Sequence, residues 1–294
     1  MPELPDITIY REALDAHVRG RVLAHVRILN PFLLRTAVPP ITDVESRRVL
    51  DVQRLGKRIV FALADDYFLI LHLMIAGRLR WLAPGVKPPA RITQAVFEFE
   101  SGNLAFTEAG TKRRASLHCV RGASALAAFD LGGLEISDTD AATFAARLQS
   151  ENHTLKRALT DPHLFSGIGN AYSDEILHRA RLSPLMLTRS LDDGEVARLF
   201  EATRTVLAEW TDRLRVEAGN AFPEKVTAFR PEMTVHGKFG QPCPVCGAPV
   251  QRIVYAENEC NYCARCQNGG VILKDRALSR LLHKSWPRSI DELG

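Results

Sequence analysis

Four cysteines constrain this chain more than any other feature. Cys243 and Cys246 are separated by two residues, as are Cys263 and Cys266, and sixteen residues lie between the pairs. Two residues between thiols allow a tight turn to bring both to one tetrahedral ion, and the interval is long enough for a hairpin whose ends meet. Gly247 follows the first pair, where a turn around a metal favours a residue tolerant of positive φ. So short a segment has too little apolar surface to fold alone. The expectation is a zinc ribbon holding one structural Zn2+ on Cys243, Cys246, Cys263 and Cys266, with the metal supplying its folding energy. Four thiolates leave no open coordination position, which argues against a catalytic ion. Cys260 offers a rival register with Cys263 and leaves one ligand open, while Cys119 reads as a small buried hydrophobe. Paired thiols can also be redox centres, but two matched pairs argue against that. Five of the six cysteines fall between 243 and 266, which suits a metal site in a reducing compartment better than a disulfide framework.

The rest of the chain is long enough for more than one core: 294 residues, 46% of them hydrophobic. A net charge of +4 permits a nucleic-acid partner without demanding one, because phosphate binding depends on where cations cluster. No apolar run reaches the roughly eighteen residues of a membrane span, and the opening MPELPD carries acids where a signal peptide carries bases. A cytoplasmic protein without a membrane partner is expected.

Residues 41–63, 67–82 and 92–107 are rich in Val, Ile, Leu and Phe and broken by short Asp, Gly and Pro stretches, so they read as strands, with a hairpin at Ser101-Gly102-Asn103. A helical spacing over 8–20 precedes them and Gly20 stops it. From about residue 120 the period becomes helical: 123–130, 140–150, 154–161, 171–182 and a long pattern over 193–215. Residues 218–240 read as loop, and a basic amphipathic tail over 275–286 closes the chain. The fold class is therefore α+β and multidomain, with an N-terminal antiparallel β-sandwich or flattened barrel over 1–125, a helical module over 130–225 and the ribbon with its tail over 235–294.

The N-terminus carries the sharpest chemistry. A small second residue favours removal of the initiator Met, which would expose the secondary amine of Pro2. A terminal amine titrates near 8, so much of it is neutral and nucleophilic at physiological pH, whereas a lysine near 10.4 needs desolvation to match it. Attack on a sugar C1′ expels the base and leaves an iminium, whose neighbouring carbon is acidified toward strand scission. Glu3 is placed to shuttle the protons. Many chains begin Met-Pro for no such reason, so the motif needs company.

That company is MPELPD, QRLGKR (53–58), HLMIAGRL (72–79), DPHLFSGIGNAYSDEILHRARLSP (161–184) and the CPVC…CARCQ ribbon, in that order. Together they resemble the Fpg/Nei family of bifunctional DNA glycosylases over residues 2 to about 267. The resemblance implies a β-sandwich, a helix–two-turns–helix module and a zinc finger, damaged DNA as partner, a monomer, and a bacterial-type, nucleoid-associated setting. It makes Pro2 the nucleophile and Glu3 the catalytic acid, and places Lys57 beside the damaged nucleotide. On the residues alone, Lys57 equally suits a solvated strand edge. Asn170 matches a phosphate-binding asparagine, in a GIGN run whose glycines also suit an ordinary helix cap. Glu175 and Asp161 match acidic positions that orient the site. His72 reads as a phosphate contact or a packed core histidine, and Lys238 joins the expected DNA contacts.

Three departures stand out. Where the family carries HLGMSG, with a Met that fills the gap left by a flipped nucleotide, this chain has HLMIAG, placing Ile75 there and Met74 before it. Where the family's DPRRFG loop supplies an Arg and a Phe to the opposite strand, TEAGTKRRA (107–115) stands, with Thr111 and Lys112 at those positions. Lys112, Arg113 and Arg114 can still neutralise phosphate. At the ribbon's tip, ENECNYC (257–263) replaces a run like QRATFYC, so Asn258 falls at the arginine position between Glu257 and Glu259. Arg252, Arg265 and the tail's Arg276, Arg280 and Lys284 are candidates to compensate, while Leu278, Leu281 and Leu282 suit packing against the body. The reading is a bifunctional glycosylase and abasic-site lyase. A lyase or glycosylase confined to single-stranded or crosslinked lesions, and a non-catalytic binder of damaged DNA, are the alternatives.

Overall fold

A computed structural model of the chain describes residues 1–224, 226–227, 229–255, 258–274 and 287–292. It divides into two compact units, Met1–Leu131 with Trp210–Ala228, and Gly132–Glu209 with Phe229–Gly294.

The first unit opens on helix α1, Leu4–Val18, four residues earlier than the apolar spacing predicts. The reason is local. The Glu3 N–H donates to Asp6 Oδ2 at 2.9 Å, the Glu3 carboxylate accepts from the Asp6 N–H, and Pro5 lies in the first turn. MPELPD is thus a capping box with a proline start, which satisfies donors the helix would otherwise leave bare. Ile7, Tyr10, Leu14 and Val18 form its buried stripe.

Eight strands follow: β1 Val22–Ile28, β2 Arg47–Leu55, β3 Arg58–Leu63, β4 Tyr67–His72, β5 Gly77–Leu82, β6 Thr93–Phe99, β7 Gly102–Glu108 and β8 Ser116–Arg121. They pair antiparallel in the order β5-β7-β6-β1-β2-β3-β4-β8. β1 and β2 share only a short register, Val22 with Arg48 and Leu23 with Arg47, so the sheet turns a corner there and its two halves face each other. Phe61 on one half stacks on Phe97 of the other, centroids 6.3 Å apart and planes 15° apart. Val52, Leu69, Leu71, Leu104 and Phe106 fill the same core with the α1 stripe. This is the expected sandwich, and burying each large apolar side chain in it contributes about 1.5–3 kcal/mol. The last turns of helix α6, Asp193–Ala218, belong to this unit. There Arg215 grips Glu12 at 2.7 Å, and Phe222 beyond the helix packs on Tyr10 and His17.

The second unit is built from α3 Ala141–Gln149, α4 Leu155–Thr160, α5 Asn170–Ala180 and the first part of α6; the short α2, Ala123–Ala127, lies in the first unit. Phe144 packs on Phe165 at 4.8 Å and on Phe200 at 5.1 Å, joining α3, the turn before α5, and α6. α5 is buried almost throughout. β9 Gln251–Tyr255 and β10 Asn258–Tyr262 form the ribbon hairpin, and α7 Ala264–Asn268 follows it. The tail over 275–286, with Arg276, Leu278, Arg280, Leu281, Leu282 and Lys284, and also Glu257, lies outside the described residues. No described helix is long and apolar enough to cross a membrane.

Candidate active site and nucleic-acid interface

In the first unit, chemistry gathers around the start of α1. Pro2 and Glu3 are buried and Met1 half-buried, so with Met1 attached the Pro2 nitrogen is an amide. Burial holds the Met1 ammonium below the ordinary range of a terminal amine. Arg78 and Lys57 add to this, while Glu3 and Asp6 oppose it. Charges from the cap and first turn of α1, from β5 and from the β2–β3 turn therefore all act on the N-terminus.

Lys57 is presented by a two-residue turn. Leu55 pairs with Arg58, leaving Gly56 and Lys57 to reverse the chain, with Gly56 at φ +60°, where a side chain would be strained. His72 ends β4 opposite Arg58 and Ser116. Burial pushes its imidazole down to about 4, with Arg58, Lys57 and His118 acting in the same direction. His72 is therefore neutral at physiological pH.

The β4–β5 turn runs Leu73-Met74-Ile75-Ala76. The Gly77 N–H returns to Leu73 O at 2.9 Å, and a Cβ at Gly77 would stand 2.3 Å from that same oxygen. Met74 takes φ +52°, a left-handed conformation costly for a residue with a Cβ. Ile75 is 57% exposed at the tip. The 109–114 loop is exposed throughout. Glu108 anchors its far end by accepting from the N–H groups of Arg114 at 2.8 Å and Ala115 at 3.1 Å. Thr111, Lys112 and Arg113 point no aromatic side chain outward, as the sequence indicated.

In the second unit, Asn170 is the first residue of α5, and its Nδ2 donates to Glu259 O on β10 at 2.8 Å. Beneath it lies a buried ionic network. Lys156 Nζ donates to Asn170 O at 2.6 Å, Ser173 Oγ at 2.8 Å and Asp174 Oδ1 at 2.5 Å. Asp174 Oδ2 accepts from His236 Nδ1 at 2.8 Å, Asn261 N at 3.1 Å and Asn261 Nδ2 at 3.3 Å. Burial drives the Asp174 carboxyl up, but Lys156 and His236 together outweigh it and hold it below the carboxylate range. The next residue, Glu175, takes three backbone N–H groups, from Thr234 at 2.8 Å, Val235 at 2.9 Å and His236 at 3.0 Å. Two adjacent acids on α5 thus fasten both the loop before the ribbon and the ribbon hairpin.

Asp161 closes α4, and its Oδ1 accepts from the His163 N–H at 2.9 Å, a turn-shaping contact separate from the Glu175 clamp. Lys238 donates to Pro231 O at 2.8 Å.

The ligand atoms of Cys243, Cys246, Cys263 and Cys266 all lie within 4.8 Å of one another. Thiolates about 2.3 Å from a tetrahedral ion sit roughly 3.8 Å apart, and Cys243–Cys266 at 3.9 Å and Cys246–Cys263 at 3.4 Å fit that shape. His178 Nε2 lies 3.4 Å from Cys243 Sγ. Cys260 stands outside the quartet, buried beside Asp174, so the rival register does not form. Arg252 and Arg265, the candidates to compensate for a missing arginine, are both exposed and ion-paired. Arg252 lies over the Phe239 ring at 4.3 Å and pairs with Glu259 at 3.5 Å, and Arg265 pairs with Asp291 at 3.3 Å. The same Arg252 contact partly neutralises Glu259, which the sequence alone presents as a repulsive charge.

Comparison with known proteins decides the family. The model of the formamidopyrimidine-DNA glycosylase N-terminal domain matches residues 1–115, that of its H2TH domain residues 133–215, and that of the zinc finger found in FPG and IleRS residues 240–269. The formamidopyrimidine-DNA glycosylase of Thermus thermophilus is 34% identical over 283 residues, 92% of this chain and 100% of the relative. That of Heliobacterium modesticaldum is 34% identical over 286 residues, 91% and 100%. The chain belongs to the formamidopyrimidine-DNA glycosylase family. Among solved structures, the MutM (Fpg) protein of Thermus thermophilus superimposes with a TM-score of 0.76 at 34% identity, covering 90% of this chain and 98% of that one. Lactococcus lactis Fpg in complex with DNA containing an abasic site gives 0.80 at 23% identity, 90% and 99%, a likeness of fold. The architecture is accordingly that of a formamidopyrimidine-DNA glycosylase: a β-rich N-terminal domain, a helix–two-turns–helix module and a C-terminal four-cysteine cluster consistent with a structural zinc site.

Sequence reading of this formamidopyrimidine-DNA glycosylase family member missed Arg78, Lys156, Asp174, His236 and Asn261. A charged residue inside an otherwise buried helical stretch, as Asp174 is in α5, was the available signal for the network. For Arg78 there was none.

Proposed function

We propose that the chain excises damaged bases from DNA and cleaves the abasic strand that results, with the Pro2 amine, freed by loss of Met1, as nucleophile. The family is one of bifunctional DNA glycosylases and abasic-site lyases, and this chain keeps that activity class. The observation that supports the finer reading is the charge environment of Met1: burial, with Arg78 and Lys57, outweighs Glu3 and Asp6 and disfavours an ammonium there, and the Pro2 nitrogen exposed by loss of Met1 is the neighbouring group.

The steps follow from the residues. The Pro2 nitrogen forms a bond to C1′ as the glycosidic bond breaks and the base leaves with its electron pair. Glu3, fixed by its capping box, passes a proton to O4′ as the C1′–O4′ bond opens to an iminium. Loss of a C2′ proton then expels the 3′-phosphate, and hydrolysis returns the amine. Lys57 holds the strand near the reacting sugar. His72, neutral, accepts or donates a single hydrogen bond to it. Asn170 keeps a second amide N–H for a phosphate while the first is spent on Glu259 O, and the backbone N–H groups at the start of α5 add to that pole. Lys112, Arg113 and Lys238 supply further neutralisation, and Asp161 and Glu175 shape the module. Zinc on Cys243, Cys246, Cys263 and Cys266 fits the thiolate spacing and supplies folding energy to the ribbon, with no part in bond breaking.

Borohydride reduction on an abasic oligonucleotide tests this. A covalent adduct is expected whose cross-linked peptide begins at Pro2, and it is lost in Pro2→Ala with Glu3 intact. An adduct mapping to Lys57, or none at all, overturns the assignment. A panel of lesions in single- and double-stranded DNA then identifies the substrate.

A further inference from the structure

Arg78 is the second residue of β5, and the backbone holds its guanidinium. Its Nη1 donates to Ile75 O at 3.1 Å and to Gly77 O at 2.6 Å, so the side chain folds back over the β4–β5 turn. Among the described residues, it has no carboxylate partner. Its own carbonyl is fixed by Thr107 Oγ1 at 3.2 Å, and the next N–H, of Leu79, donates to the buried Tyr10 hydroxyl at 3.2 Å. The base of this side chain is therefore immobile, and its head reaches two carbonyls on either side of the tip.

Two consequences meet in one residue. The tip displays Ile75, 57% exposed, a β-branched side chain with few rotamers to lose on insertion between bases. Bracing of its carbonyl by Nη1 of a planar guanidinium, which also holds the Gly77 carbonyl, resists collapse of the tip. The Leu79–Tyr10 hydrogen bond sets β5 against α1, and the Arg78 charge, like that of Lys57 from the β2–β3 turn, acts on the N-terminus against Glu3 and Asp6. We propose that Arg78 is a positioning residue of the reaction: it braces the turn that presents Ile75 as the wedge, and it sets a cation without a carboxylate partner beside the chain's N-terminus. The second half rests on the reading of Pro2 as nucleophile; the first does not.

The test compares wild type with Arg78→Met, Arg78→Lys and Ile75→Gly, each checked for an N-terminal Pro2 by mass spectrometry and for unchanged circular dichroism. Borohydride trapping on abasic duplex is followed across pH about 5.5 to 8.5, bracketing a terminal amine. Nucleotide extrusion is followed by the fluorescence of 2-aminopurine beside the abasic position. Arg78→Met is expected to move the trapping midpoint upward by about half a pH unit, a roughly threefold loss below it. Arg78→Lys, which keeps the charge, returns the midpoint to its wild-type position, and a lost fold could not produce that pattern. Arg78→Met also slows the fluorescence rise as much as Ile75→Gly does. An unmoved midpoint overturns the electrostatic half, and a wild-type fluorescence rise overturns the bracing half. If wild type fails to trap while Arg78→Met still slows extrusion, the Pro2 reading has failed and the bracing role stands.

Discussion

Replacing Asp174 by Asn should damage the second unit more than any other single polar substitution. The carboxylate and its Lys156 partner are 1% and 4% exposed, and four donors converge on it, from Lys156, His236 and twice from Asn261. An asparagine keeps the shape but removes the charge that balances the buried Lys156 ammonium, whose contacts to Ser173 Oγ and Asn170 O are to neutral acceptors. Breaking a buried pair from one side costs about 3–5 kcal/mol, chiefly through the charge left behind. Removing that charge as well, in Lys156→Met with Asp174→Asn, should recover part of the loss, with a coupling of about 2 kcal/mol. The assay is urea unfolding followed by release of metal to a chromogenic chelator, a signal confined to the unit that holds the cysteines. The acid limb gives a second check. Because the folded carboxyl lies below its unfolded value of about 3.9, its contribution is complete above that pH and vanishes as pH falls through the folded value. Wild type and Asp174→Asn should converge there. A loss below about 1 kcal/mol, or an additive double-mutant cycle, refutes the reasoning.

Four other expectations are simpler. Cys243→Ser should abolish stoichiometric zinc and weaken DNA binding, and unchanged metal content would show that the ligand set is wrong. His72 takes up its proton only near 4 in the folded chain but near 6.5 when unfolded. The first unit should therefore lose stability as pH falls across that interval, and His72→Gln should flatten the loss in melts at about pH 4.5 and about pH 7. Lys57→Ala should lower turnover roughly tenfold or more while shifting the dissociation constant little, a split visible in single-turnover kinetics against binding titration. Met74→Gly should raise the melting temperature slightly, because relief of about 1–2 kcal/mol of left-handed strain exceeds the added chain entropy of about 0.5–1 kcal/mol.

What could be read from the chain beforehand was whatever is local. The cysteine quartet, the long α6 pattern and the hairpin near Ser101 depend on residues close in sequence, and each lies where expected. β1 was missed because its exposed residues, Val22, His25 and Arg27, and its buried ones, Leu23 and Val26, break the period of two where the register shifts between Leu23 and His25. The start of α1 was missed because Glu3 was read for its chemistry and Asp6 only as an acid unlike a signal peptide, when together they cap the helix. Lys156, Asp174, His236 and Asn261 come from four separated segments, and no spacing pairs them; only the folded chain brings them within hydrogen-bonding distance. Arg78 has the same character, since its partners are carbonyls, which every residue possesses.

The β4–β5 turn closes through the Gly77 N–H and the Leu73 carbonyl, and the room for that closure exists only because position 77 lacks a Cβ. None of this depends on which side chain stands at the tip. The displayed group is thus interchangeable while its mounting is not: residues 75 and 76 can drift through a lineage, or be randomised in a library, without refolding the sheet. An isoleucine could therefore come to occupy a methionine's place, and substrate range can evolve at this tip faster than the scaffold that carries it.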